Sequence, residues 1–152
     1  MSYSAIRTAL QARLAAVTGM GTVFTYLRWT DDDVDAPGFA KFIQGTAPNQ
    51  HLSFAQFTRT RFVDSKRGLT HRNHDIVIFA FYSASDADAT ENTFQDLMDA
   101  VANDLEGGDR TLGGACAIVH LPEVSPIEYT WFGPVFCHAA LIRVTVEEIL
   151  PT

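Results

Sequence analysis

Apolar residues open the chain at helical spacing: Ile6, Leu10, Leu14 and Val17, with alanines filling the same face. Ser2 or Ser4 can cap the start and Gly19 can close the end, so the pattern predicts a first helix packed on a core. Thr22 to Trp29 is rich in Val, Phe, Tyr and Trp and predicts a strand. The periodicity then breaks. Residues 31–50 hold Pro37, Gly38, Gly45 and Pro48 among aspartates, which predicts a loop longer than a simple connection needs.

The strongest β pattern follows. Leu52 to Val63 and Leu69 to Tyr82 read as two strands joined by the polar turn Asp64-Ser65-Lys66-Arg67-Gly68. Their inner ends are apolar. Ile76 to Phe81 is continuously apolar, as in a strand covered on both faces. Residues 58–74 are too polar for the same core, so the hairpin is expected to project beyond the domain.

A second helix is expected after Ser85, Asp86 and Asp88, which supply a cap and a negative first turn. Its apolar stripe is Phe94, Leu97, Met98, Val101 and Leu105, and Gly107-Gly108 ends it. Ala115 to Leu121 predicts another strand, residues 122–134 a proline-punctuated connection, and Val135 to Ile149 a last strand. In that strand Ile142, Val144 and Val146 alternate with Arg143, Thr145 and Glu147. The expectation is a single α+β domain over residues 1–152: a mostly antiparallel mixed sheet of about four to five strands packed against two helices, with a long projecting hairpin.

Charge narrows the function. The 152 residues carry a net charge of −7, the opposite of a free-standing nucleic-acid binder. Charged residues make up only 19%, which suits a surface partly covered by a partner. Cys116 and Cys137 lie in apolar runs outside any CxxC pair and read as buried free thiols of a reducing compartment. The first twenty residues carry Arg7 and Arg13 in an amphipathic pattern and do not read as a leader. The longest apolar run is too short to span a bilayer, so no membrane is expected.

Chemistry is scarce. His51, His71, His74, His120 and His138 form no HExxH or Cys/His quartet, and they read as surface or hairpin histidines. His71 and His74 fall on opposite faces of a strand. Asp31, Asp33 and Asp35 begin like a calcium loop, but Ala36 stands at the turn glycine and Phe42 at the bidentate glutamate. There is no GxSxG, phosphate loop or GxGxxG. No catalytic residue, cofactor or metal is expected.

One charged feature stands out. Arg59, Arg61, Lys66, Arg67 and Arg72 are five of the 11 basic residues, packed into the hairpin with Asp64 as the only acid among them. Such a cluster is either a solvated edge that resists aggregation through its charge, or a docking arm for an acidic neighbour or for passing DNA.

The chain resembles the tail terminator, or tail completion, proteins of phages with long non-contractile tails of the lambda type. The resemblance rests on the element order and on Phe94 to Leu105 as helix. It also rests on Asp109-Arg110-Thr111-Leu112-Gly113-Gly114 before a strand and on Tyr129-Thr130-Trp131-Phe132-Gly133-Pro134-Val135 leading into the last strand. It implies a virion protein, assembled in the host cytoplasm, that forms a ring, expected to be a hexamer, on the tail tube. That ring stops tube polymerisation and meets the head-side connector, without a cofactor, while DNA passes through. The hairpin residues Arg59, Arg61, Lys66, Arg67 and Arg72 would then contact the neighbouring subunit or the tube. Other readings are a different neck component, such as a head-closure or adaptor protein; a small enzyme using residues 31–50 with His120 or His138; and a ligand-binding domain using Trp29, Tyr129 and Trp131.

Overall fold

The computed structural model describes residues 2–28, 43–44, 51–84, 89–133 and 135–151. Helix α1 spans Tyr3–Ala15, with Ser2 as its cap: the Ser2 Oγ accepts from the Ala5 backbone N–H at 3.2 Å. Ile6, Leu10 and Leu14 are buried, as their spacing demands. The chain turns through Gly19 and Gly21, both at positive φ, into the short strand β1, Thr22–Phe24. The strand expected to reach Trp29 is thus only three residues long. Beyond it the Arg28 N–H donates at 2.7 Å to the side-chain oxygen of Gln56 on the next strand.

Two long strands carry the architecture. β3 (His51–Lys66) and β4 (Leu69–Ser83) pair antiparallel over their whole length, from Ser53 opposite Tyr82 to Lys66 opposite Leu69. The loop between them is therefore the two residues Arg67 and Gly68, not five. Both have positive φ, 52° and 75°, the geometry of the mirror-image turn that matches strand twist. β2 (Ile43–Gln44) pairs with the start of β3 and is the one described part of the expected 31–50 loop. Asp31, Asp33 and Asp35 lie outside the described residues.

Helix α2 spans Thr90–Gly107, and Phe94, Leu97, Met98, Val101 and Leu105 are all buried. Its expected caps, Ser85, Asp86 and Asp88, lie outside the described residues; the cap position is Ala89, with no side-chain cap bond. The segment that follows is tightly turned. The Asp109 carboxylate accepts from the Thr111 and Gly113 N–H groups at 2.9 and 2.8 Å and from the Thr111 hydroxyl at 2.6 Å. The Ala115 and Cys116 N–H groups bond back into this turn, to the Leu112 and Thr111 carbonyl oxygens at 3.4 and 3.2 Å, and the strand expected over 115–121 is shortened to β5, Ile118–Val119. β6 (Glu123–Val124) and β7 (Glu128–Phe132) follow, so the aromatic part of the expected connection is a strand. The last strand, β8, is Val135–Pro151.

Among the described residues the sheet has eight strands, with β1, β3, β4, β8 and β5 in order across it. β1 runs parallel to β3 and all other pairs are antiparallel. The fold is α+β, as the element order predicts. β4 and β8 pair from Ser83 opposite Cys137 to Leu69 opposite Pro151, while β7, β6 and β5 cover the outer edge of β8 in turn. Both helices pack on one face, over Ile76, Ile78, Ala80, Ala140, Ile142, Val144 and Val146. Among the described residues the other face has a small aromatic cluster at one end: Phe24, Phe54 and Phe132 around Cys137, with Phe81 against them. Ile76 to Phe81 is accordingly buried on its helix side and only half-buried on the other. Cys116 and Cys137 are buried free thiols; burial pushes their pKa values up to about 11 and about 12, which leaves them protonated.

Candidate functional site

Past Thr58, every described residue of β3 is exposed. The hairpin does project, but it is not two-stranded. The end of β8 runs alongside β4 to the tip, so the arm is a three-stranded ribbon with β4 in the middle. Two strands alone would be marginal; the third supplies a second hydrogen-bonded edge.

Register assigns the charges to faces. Arg59 stands opposite the core residue Ile76, Arg61 opposite His74, and Val63 opposite Arg72. Residues paired across strands share a face, so Arg59, Arg61 and Arg72 all lie on the helix side of the sheet. Lys66 sits at the tip, 3.1 Å from Asp64, with both side chains mostly in water, so the pair holds little energy. Arg67 occupies the first turn position.

The root of the ribbon is clamped to α1. The Arg59 guanidinium carbon lies 3.9 Å from the centroid of the Tyr3 ring, and that ring packs against His74 at 5.1 Å. Burial pushes the Tyr3 phenol upward, with Arg59 and Arg7 pulling it the other way. An Arg59 N–H reaches His74 Nδ1 at 3.4 Å, and His74 Nε2 reaches Glu148 at 2.9 Å. An arginine only donates. Nδ1 therefore accepts, and Nε2 carries the proton given to Glu148. Both members of the His74–Glu148 pair are 1% exposed, and Glu148 Oε1 is buried without a partner.

On the opposite face the Glu147 carboxylate accepts from His71 Nδ1 and, at 2.9 Å, from His120 Nε2. These bonds, the His71 one foremost, hold the Glu147 carboxyl below the usual range. The expectation of surface or hairpin histidines holds for His74 in its place on the hairpin, where it is nevertheless buried, and is corrected for His138, which is buried in β8. His71 and His74 do face opposite ways, and the adjacent glutamates 147 and 148 answer them one per face. That doublet on the last strand was the available signal; the cross-strand register that joins it to β4 was not visible in sequence.

The charge of the whole chain is segregated. Residues 58–74 hold five of its 11 basic residues and one of its 18 acids, so they carry +4 and the remainder −11. Helix α2 alone contributes Glu91, Asp96, Asp99, Asp104 and Glu106, with no Lys or Arg.

A second exposed patch lies at the other end of β8. Tyr129, Trp131 and Phe136 are 55%, 65% and 42% exposed and stack on one another, with ring centroids 5.2 and 5.1 Å apart. β8 separates this patch from the ribbon tip by about 50 Å at ~3.3 Å per residue. Between the patch and the start of α2 lies an open cleft of about 480 Å³, lined in part by Tyr129, Thr90 and His138. His138 Nε2 shares a 2.8 Å hydrogen bond with the Thr90 hydroxyl; Nδ1 is buried without a partner, and burial lowers the ring's pKa. Trp29 lies outside the described residues, as does the side chain of His51.

Among the described residues no group of three or more His, Cys, Asp or Glu is arranged to hold a metal, and no helix is long and apolar enough to cross a membrane. Neither the protein-family models nor the curated proteins contain a match to the chain.

Proposed function

We propose that the protein is a structural component of a phage virion: a tail terminator whose copies form a ring on the end of the tail tube. The ring stops tube growth and offers a surface to the head-side connector, and the protein is not an enzyme. The observation that carries the reading is the three-stranded ribbon, which projects a cationic face and the exposed apolar residues Phe62, Val63 and Leu69 from an otherwise acidic domain. A solvated edge has no need of exposed Phe, Val and Leu; surfaces of this kind mark protein contacts. The two ends of the sheet along β8 present unlike chemistry, aromatic beside the start of β8 and, beside its end, the basic cluster of β3 and β4. Unlike patches suit heterologous contacts that close by rotation. The net −9 of the body outside the three-stranded ribbon supports a passage for DNA, which acidic walls let slide without sticking.

The test is the mass of the purified protein over a concentration series, with and without tail tubes. A ring that grows in with concentration, or protein bound at tube ends, is the expected result. Binding to head-side connectors but not to tubes would reassign the protein to another position in the neck.

His138 favours one further reading, a small-ligand site, because a buried imidazole with an unpartnered nitrogen lines an open cleft. A change of the His138 ring resonances with a metabolite mixture, in protein that ignores tubes, would move the assignment there.

A further inference from the structure

The ribbon's cationic face has a counterpart of opposite sign on the same molecule. On α2, the apolar stripe faces the sheet and the opposite side carries Asn92, Asp96, Asp99, Asn103 and Glu106, all exposed. Asp104 is already engaged by Arg13 at 2.7 Å, whereas Asp96, Asp99 and Glu106 face solvent with no cation among the helix's own residues to answer them. Asp96 to Glu106 spans about 15 Å at 1.5 Å per residue. On the ribbon, Arg61, the Val63–Arg72 pair and the tip that carries Arg67 span about 17 Å along the strands at ~3.3 Å per residue. Two rows of opposite sign and nearly equal length, exposed apart from the half-buried Arg72, therefore stand on one chain. One lies on a projecting arm and the other on the outer surface of a helix packed against the sheet.

We propose that the ribbon of one copy docks across the outer face of α2 on a second copy, with Arg61, Arg67 and Arg72 against Asp96, Asp99 and Glu106. This rests on the ring reading and specifies the contact that closes it. The ribbon, at +2 once Glu147 and Glu148 on its β8 strand are counted with the +4 of residues 58–74, and the acidic helix are complementary between copies, and each copy uses both surfaces once, which is what a head-to-tail ring requires. Phe62, Val63 and Leu69, exposed on the ribbon, add apolar contact beside the charges.

Two double variants test this in the full chain: Arg61→Glu with Arg67→Glu on the ribbon, and Asp96→Arg with Asp99→Arg on α2. These positions are exposed, and circular dichroism melting checks that each variant folds. Each double variant alone sets like charge against like, so the concentration for half-assembly should rise at least about tenfold. An equimolar mixture of the two should reassemble, because every ribbon then finds a helix of opposite sign. Assembly by either folded double variant alone at the wild-type concentration overturns the docking proposal while leaving the ring intact. So does a mixture that stays monomeric. Ribbon variants that assemble normally but no longer bind tube ends would give the ribbon to the tube instead. A wild-type chain that stays monomeric at every concentration and ignores tubes would remove the ring reading, and this proposal with it.

Discussion

The guanidinium of Arg59 lies 3.9 Å from the centre of the Tyr3 ring, so the first turn of α1 is fastened to the root of the ribbon. Arg59 is therefore partly a structural residue, unlike Arg61 or Arg67. Tyr3→Ala removes both the ring under Arg59 and its packing on His74 and should cost about 2 kcal/mol. Tyr3→Phe keeps the ring and should stay within about 0.5 kcal/mol of wild type. Urea unfolding of the three proteins measures this; equal losses for both variants would show that the hydroxyl, not the ring, holds the contact.

Arg67 sits at φ 52°, in the left-handed region, at a turn position that favours asparagine or glycine. Arg67→Asn should stabilise the fold by about 0.5–1 kcal/mol while weakening self-association, since it removes the tip cation. A thermal melt and a sedimentation series on the same sample separate the two effects. A loss of stability would mean that Arg67 makes contacts worth more than its strain.

Gly21 approaches β3 so closely that a Cβ would stand 2.1 Å from the Ser53 carbonyl oxygen, and its φ is 73°. The Ser53 hydroxyl meanwhile donates to the Gly19 carbonyl oxygen at 3.0 Å, which seats the turn on the strand. Gly21→Ala should destabilise the protein by at least about 2 kcal/mol through clash and backbone strain together. Gly113→Ala, also at positive φ but with open space around it, isolates the strain alone and should cost less. Equal midpoints in denaturant for these two variants would refute the steric argument.

Burial lowers the pKa of His138 from its ordinary 6.5. The unfolded chain then binds more protons than the folded one between 6.5 and that lower value, so stability should fall as pH drops through this window. His138→Gln should flatten the slope there, with stability followed by urea midpoint between pH 7 and 5. An unchanged slope would assign it to other groups. Glu147 acts lower: its depressed carboxyl contributes stability above its ordinary value of 4.5 that is lost as pH falls further.

Local pattern alone determined a good deal. The buried faces of both helices, the long hairpin and its polar end, the alternation of the last strand and the two buried thiols are all read from spacing and residue type, because burial imposes period 3.6 on helices and period 2 on strands. The opposite orientation of His71 and His74 follows from the same rule. What pattern could not carry is pairing at long range. The turn after Asp109 takes up the backbone N–H groups of Ala115 and Cys116 through hydrogen bonds that no periodicity records. Glu128 to Phe132 became a strand only because the start of β8 offered an open edge. The third strand of the ribbon depends on β8 meeting β4 some 70 residues away in sequence, which places Glu148 on His74 and Glu147 on His71. The cluster of basic residues was visible in the sequence. That three of its arginines share the helix side of the sheet, and that α2 turns a matching acidic row to solvent, was decided by register and packing, since only the assembled sheet sets which side of each strand faces the helices.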